Sequence, residues 1–223
     1  MKIVAVTAYV PIPGHPRTPE QYRDLLVRLL ETDIPLVCLE GELEGCWLYR
    51  YLRERGKTFT HSVAENPAKN SVAYHCVQAQ KSEWLTTVAH LAEVLVWLDV
   101  GIFHLRGVTG RIIRDFMKRA AGERAVTLPG SWERDYEYRD EWPCWRFAGG
   151  VWVVPRAHVV ALDTAMKQDY KRHLRETNNV SWEVNTLARM EQRGMGPPLF
   201  WYRANHDASL FTNYRKLEYA DIR

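Results

Sequence analysis

Residues 94–99, VLVWLD, constrain this chain more than any other stretch, because an apolar run ends abruptly on an acid. An apolar run without polar alternation predicts a strand buried on both faces, and such strands belong to largely parallel sheets covered by helices. Residues 3–9, IVAVTAY, predict a second strand of the same kind. Around these two the pattern alternates. Thr18-Pro19-Glu20-Gln21 is a capping box with Pro at the first helical position, and it predicts a helix from 19 to about 31. PLVCLE (35–40) is a strand, residues 43–55 carry a short helical stretch, and 58–63 hold a third short strand. Residues 71–93 suit one or two helices, with Lys81 near their middle, and 110–121 another that turns Ile112, Ile113, Phe116 and Met117 inward. AVTL (125–128), a glycine-kinked FAGGVWVVP (147–155) and LFWY (199–202) supply further strands, with helices over about 156–175 and from near Ser181, its N-cap. The expectation is an α/β fold: a mostly parallel central sheet flanked by helices, in one domain over 1–223.

In open α/β sheets, ligands lie at the carboxyl ends of strands. Three segments put polar or permissive residues there: Thr7-Ala8-Tyr9, Asp99-Val100-Gly101 and the Gly149-Gly150 pair. Asp99 has two readings, a carboxylate holding a divalent cation beside a diphosphate, or an acid capping the turn that follows. Glu183 opens a helix, where a carboxylate complements the helix dipole, or serves as a base beside the aromatic Trp182. His206 and Asp207 lie in ANHDASLFTNY, read either as a segment folded back over a site or as a tail pinned by Leu210, Phe211 and Tyr214. Lys81, Arg17 and the Arg111/Arg114/Lys118 face are candidate phosphate contacts, although most such residues are simply solvated.

The exclusions are as useful. No GxSxG, P-loop, GxGxxG or HExxH occurs, which argues against hydrolase, NTPase, Rossmann dehydrogenase and zincin readings. The four cysteines lack CxxC spacing, so reduced thiols in a cytoplasmic protein are expected rather than zinc or disulfides. The longest apolar stretch, 88–105, is broken by His90, Glu93, Asp99 and His104 and predicts no membrane span. A net charge of +3 neither demands nor excludes nucleic acid.

In chain order, these pieces resemble the GT-A glycosyltransferase plan, and most closely the HtrL/YibB-like group of bacterial and viral proteins. The resemblance rests on VTAYVPI, Arg17 with EQYRDLL, AQKSEWL, VLVWLDVGIFH, FAGGVWVVP, SWEVNTLARM and NHDASLFTNY, ordered over about residues 3–214. It implies a GT-A-like domain that moves a sugar from a nucleoside diphosphate sugar, UDP-sugar favoured, to an acceptor hydroxyl. Thr7, Ala8 and Tyr9 would then border the nucleotide, with Arg17, Lys81 and Asp99 completing the donor site. Asp99 and His206 would hold Mn²⁺ or Mg²⁺, Gly149, Gly150 and Trp182 would meet the acceptor, and Glu183 would be the base. The usual Asp-x-Asp is reduced to a lone Asp99 followed by Val100-Gly101.

Nine Trp, eleven Tyr and six Phe make the chain 12% aromatic, more than a core alone requires. Trp47, Trp84, Trp97, Trp152 and Trp201 fall in predicted helices and strands. Trp132, Trp142 and Trp145 fall in the irregular stretch 129–145, expected to be a lid-like loop. With Trp182 they form the expected acceptor wall, and residues 203–223 the expected tail over the site. The acceptor stays open: a saccharide, a lipid-linked or a protein hydroxyl, or a hydroxylated base in DNA. A non-catalytic carbohydrate- or nucleotide-binding module is the competing class, and a nucleotidyltransferase a weaker one for want of a glycine-rich N-terminal loop.

Overall fold

A computed structural model describes residues 2–214; of the expected tail, 215–223 lie outside the described residues. The strands are β1 (Ile3–Tyr9), β2 (Leu36–Glu40), β3 (Thr60–His61), β4 (Val94–Leu98), β5 (Val126–Gly130), β6 (Val151–Pro155), β7 (Asn179–Val180) and β8 (Leu199–Arg203). The helices are α1 (Pro19–Leu30), α2 (Trp47–Arg53), α3 (Val72–Ala79), α4 (Lys81–Val88), α5 (Gly110–Ala120), α6 (Arg156–Thr177), α7 (Glu183–Arg193) and α8 (Ser209–Thr212). Six strands form one sheet in the order β2-β1-β4-β6-β5-β8, with β3 and β7 paired separately. All pairings in the large sheet are parallel except those of β6, which runs antiparallel to β4 and β5.

The apolar run of β4 is explained by the two cores it divides. Leu95 and Trp97 point into one core with Val4, Val6, Trp152 and Val154, covered by α2, α3, α4, α6 and α7. Val94, Val96 and Leu98 point into the other with Ala5, Val151 and Val153, covered by α1 and α5. A strand alternates its side chains between faces, so a sheet covered on both sides needs no polar alternation. At α1 the capping box forms as expected, with Gln21 and Thr18 exchanging side-chain-to-backbone hydrogen bonds.

Three local expectations need correction. The glycine pair does not kink a strand: β6 begins at Val151, and Gly149-Gly150 belong to the turn before it. Because β6 runs antiparallel, that turn still lies at the carboxyl end of β4, where the Asp99 N–H donates to the Gly150 carbonyl at 3.0 Å. The strand expected over 58–63 shrinks to β3 and lies outside the main sheet. Ser181 does not cap α7; Trp182 holds the cap position, and the Ser181 hydroxyl accepts from Arg189 instead. Of the tail, Leu210, Phe211 and Tyr214 are buried in the second core, while His206 packs beside His104. Among the described residues no helix is long and apolar enough to cross a membrane.

Residues 131–145 carry no helix or strand, but they are held as a wall rather than a free lid. Their ends meet where Ser131 and Trp132 N–H groups both donate to the Trp145 carbonyl. Asn185 of α7 accepts the Cys144 N–H at 2.7 Å and donates to the Trp142 carbonyl at 2.9 Å. Asp140 receives Arg189 and His173. Burial opposes its ionisation, but hydrogen bonds from His173 and Tyr138 outweigh that and hold its pKa down to about 2. Arg146, just beyond, grips Glu191 with two bonds of 2.9 and 2.7 Å.

Candidate active site

The ends of β1 and β4 and the turn before β6 open at one sheet edge, and a buried lysine organises it. Lys81 begins α4, and its ammonium reaches three oxygens: Glu183 Oε1 at 2.8 Å, the Gly149 carbonyl at 2.9 Å and Asp99 Oδ1 at 3.0 Å. It also lies 5.7 and 5.8 Å from the ring centroids of Trp97 and Trp152. Burial on its own would strip the proton from Lys81; the Asp99 and Glu183 charges outweigh it, so the pKa stands above the ordinary lysine value. All three ammonium protons are thereby used. Lys81 is a fixed charge, unavailable as a nucleophile.

The two carboxylates differ in access. The Glu183 side chain is 3% exposed and that of Asp99 37%. Glu183 is buried behind Gly149, and its Oε2 has no hydrogen-bond partner among the described residues. Asp99 faces the opening, with Oδ1 held by Lys81 and by the Trp97 indole N–H at 2.7 Å. Trp97 is itself fixed by stacking on Trp84, centroids 5.6 Å apart and planes 3° from parallel. Trp97 was legible as a core residue, but its grip on Asp99 follows from period two along the strand.

Two cavities flank this cluster. One, of about 360 Å³, is lined by Tyr9, Pro13, His15, Arg17 and Tyr22 among others. The other, of about 470 Å³, gathers Trp132, Trp142, Trp145 and Trp182, so the four tryptophans nominated from sequence share one space. An aromatic row joins the two: His15 packs near Tyr22 (5.9 Å), stacks parallel to Tyr74 (6.2 Å), and Tyr74 packs on Trp182 (5.5 Å). Of the β1 residues expected at the nucleotide, only Tyr9 lines the first cavity. Thr7 is fully buried and Ala8 packs on the core.

Two cations near this opening lack a carboxylate within ion-pair distance among the described residues. Arg17 lies over the turn after Asp99, so close that a Cβ on Gly101 would sit 2.9 Å from the guanidinium. Lys69, absent from the sequence-based candidates, has its ammonium 5.9 Å from the Trp182 ring and lines the tryptophan cavity. Burial lowers its pKa, and the Asp99 and Glu183 charges oppose that fall. Burial also lowers the pKa values of His15 and His206, so both imidazoles are neutral at pH 7. Besides Lys81, the cations at this opening are Arg17 and Lys69.

His206 reaches the same neighbourhood, its ring 5.4 Å from that of His104. These residues do not build a cation cage. Asp99 Oδ1 is already engaged, and no metal-holding group of three His, Cys, Asp or Glu forms among the described residues. Asp207 accepts from Ser209 N–H, turning the chain into α8.

No family model and no curated protein matches the sequence. Among solved structures, the chain is similar to that of a glycosyltransferase involved in the glycosylation of the major capsid of PBCV-1. The TM-score is 0.50 at 10% identity, covering 90% of this chain and 81% of that one. The likeness shows the fold, a mostly parallel α/β sheet flanked by helices, and it does not reach the HtrL/YibB-like group in particular.

Proposed function

We propose that the chain transfers a sugar from a nucleoside diphosphate sugar to an acceptor hydroxyl. The observation that carries this reading is the pair of cavities, one aromatic and basic, one walled by tryptophan, joined by the His15–Tyr74–Trp182 row, with the partly exposed Asp99 charge acting on Tyr22 of the first and Lys69 of the second. The first suits a nucleotide, with a base against Tyr9 and Tyr22 and the diphosphate on Arg17 and Lys69. The second suits the acceptor. The sugar then lies over Asp99 and the turn at Gly149-Gly150.

In the transfer, a bond forms from the acceptor oxygen to the anomeric carbon as the bond from that carbon to the diphosphate oxygen breaks. The electron pair leaves on the diphosphate, where Arg17 and Lys69 offset the developing charge. The hydroxyl proton passes to Asp99, the carboxylate that faces the opening. Glu183 takes a different part from the base expected of it, since its carboxylate is buried behind Gly149. It fixes Lys81, which in turn fixes Asp99. No step is routed through Mn²⁺ or Mg²⁺: no group of three His, Cys, Asp or Glu comes together among the described residues.

Thermal unfolding with UDP- and GDP-sugars tests the donor half. At one hundred times its Kd a donor should stabilise the protein by about 2.7 kcal/mol. The shift is expected in EDTA as in Mn²⁺, and Arg17→Ala and Lys69→Ala should each weaken binding about tenfold or more. No stabilisation by any nucleotide sugar, with or without Mn²⁺, would overturn the proposal.

A further inference from the structure

We infer that the tryptophan cavity is a subsite for an extended, uncharged oligosaccharide, so that the acceptor is a glycan rather than a nucleic acid; this deepens the transfer reading and rests on it. Large indoles normally hide. Here Trp132, Trp142 and Trp145 are 36%, 52% and 37% exposed, all beside one cavity of about 470 Å³. Their loop does not hold them out by default. Asn185, Arg189 and the Arg146–Glu191 pair tie it and the residue after it to α7, so the rings are kept apart by built contacts. A rigid scaffold that prevents exposed aromatics from collapsing is a preformed binding surface.

The chemistry of the lining selects the occupant. An indole face carries the negative side of its quadrupole and meets C–H groups well. One face of a pyranose ring presents such C–H groups, while its hydroxyls point outward to polar neighbours. Several separate indoles call for several rings, hence a chain rather than a monosaccharide. The charged residues around the cavity are Glu65, Lys69, Glu137 and Arg139, two of each sign, and Arg139 pairs with Glu137 at 3.0 Å. A phosphate backbone needs several uncommitted cations, and this rim does not offer them. On the basic face of α5, another conceivable DNA contact, Arg114 donates to the Thr32 carbonyl, and the exposed Arg111 and Lys118 share the single Asp115 carboxylate, which leaves one net charge on that trio. The cavity also adjoins the first one, because Trp182, which lines it, packs on Tyr74, and Tyr74 stacks on His15 of the first cavity.

The test uses the full chain on an array of neutral and charged glycans with duplex and single-stranded DNA included, followed by tryptophan-fluorescence titration of any binder. Neutral oligosaccharides should bind, with affinity rising about tenfold or more from mono- to trisaccharide, and DNA should not bind at physiological salt. Trp142→Ala and Trp145→Ala should each weaken the glycan about tenfold while leaving the nucleotide-sugar thermal shift in place. Both rings are exposed, so folding is preserved, and an unchanged unfolding temperature checks this. The inference is overturned if no neutral glycan binds, if the two variants bind like the wild type, or if DNA binds in a manner that depends on these tryptophans. Glycan binding without any nucleotide response would instead sink the transfer reading and leave the subsite standing.

Discussion

Lys81→Met is expected to destabilise the protein by about 3–5 kcal/mol and to abolish transfer, because it leaves the Glu183 carboxylate buried without its counter-ion. Methionine fills most of the lysine volume, so the effect isolates charge from packing. In the wild type, one ammonium holds two carboxylates and a carbonyl within 3.0 Å. Removing it leaves Glu183 Oε1 facing the Gly149 carbonyl across a low-dielectric gap. The double variant Lys81→Met/Glu183→Gln should recover most of the lost stability, since the uncompensated charge is gone, yet stay inactive because Asp99 is no longer held. Urea unfolding of the single and double variants measures the coupling directly. Equal stability of Lys81→Met and wild type would show that the cluster is not the organising centre described above.

Gly149→Ala should be the most damaging single-methyl change at the site, and its neighbour Gly150→Ala one of the mildest. A Cβ on Gly149 would lie 2.0 Å from Glu183 Oε1 and 3.3 Å from Lys81 Nζ. Both side chains are buried and neither has room to give, so the Lys81–Glu183 contact must break or the turn must shift. A Cβ on Gly150 meets Ile102 at 3.5 Å and Asp99 Oδ2 at 3.7 Å, which is ordinary contact. Overpacking of this kind costs about 1–3 kcal/mol. The adjacent pair therefore gives a sharp contrast in stability by urea unfolding: a loss of about 1–3 kcal/mol at 149 and wild-type stability at 150. Similar losses at both would point to backbone flexibility, not the packing against Glu183, as what matters there.

Much of this architecture was legible because it depends on local pattern. The unbroken apolar run of 94–98 announces a doubly covered strand, the Thr18 box announces α1, and an irregular loop with three tryptophans announces exposed rings. The direction of β6 was not legible, since an apolar strand reads alike in either sense and only its neighbours decide. That direction is what turns a supposed glycine kink into the turn that cradles Glu183. The Lys81–Glu183 pair was equally hidden: both residues were candidates, but 102 positions separate them. A first-turn acid beside an aromatic suits a base, and sequence does not show that the Glu183 side chain is buried against Lys81. Lys69 sits at the end of a single turn, Pro67–Lys69, where no period singles it out. Its importance comes only from what surrounds it.

The central claim is that Asp99, presented by Lys81 and Trp97, faces the reacting carbon of a nucleotide-bound sugar. Release of nucleoside diphosphate from a panel of nucleotide sugars, with the neutral glycans that bind the tryptophan cavity as acceptors, measures this most directly. The wild type should release diphosphate faster when acceptor is added. Asp99→Asn should cut that release by about a hundredfold or more while its nucleotide-sugar affinity stays within a few-fold. Turnover by Asp99→Asn at the wild-type rate would contradict the account.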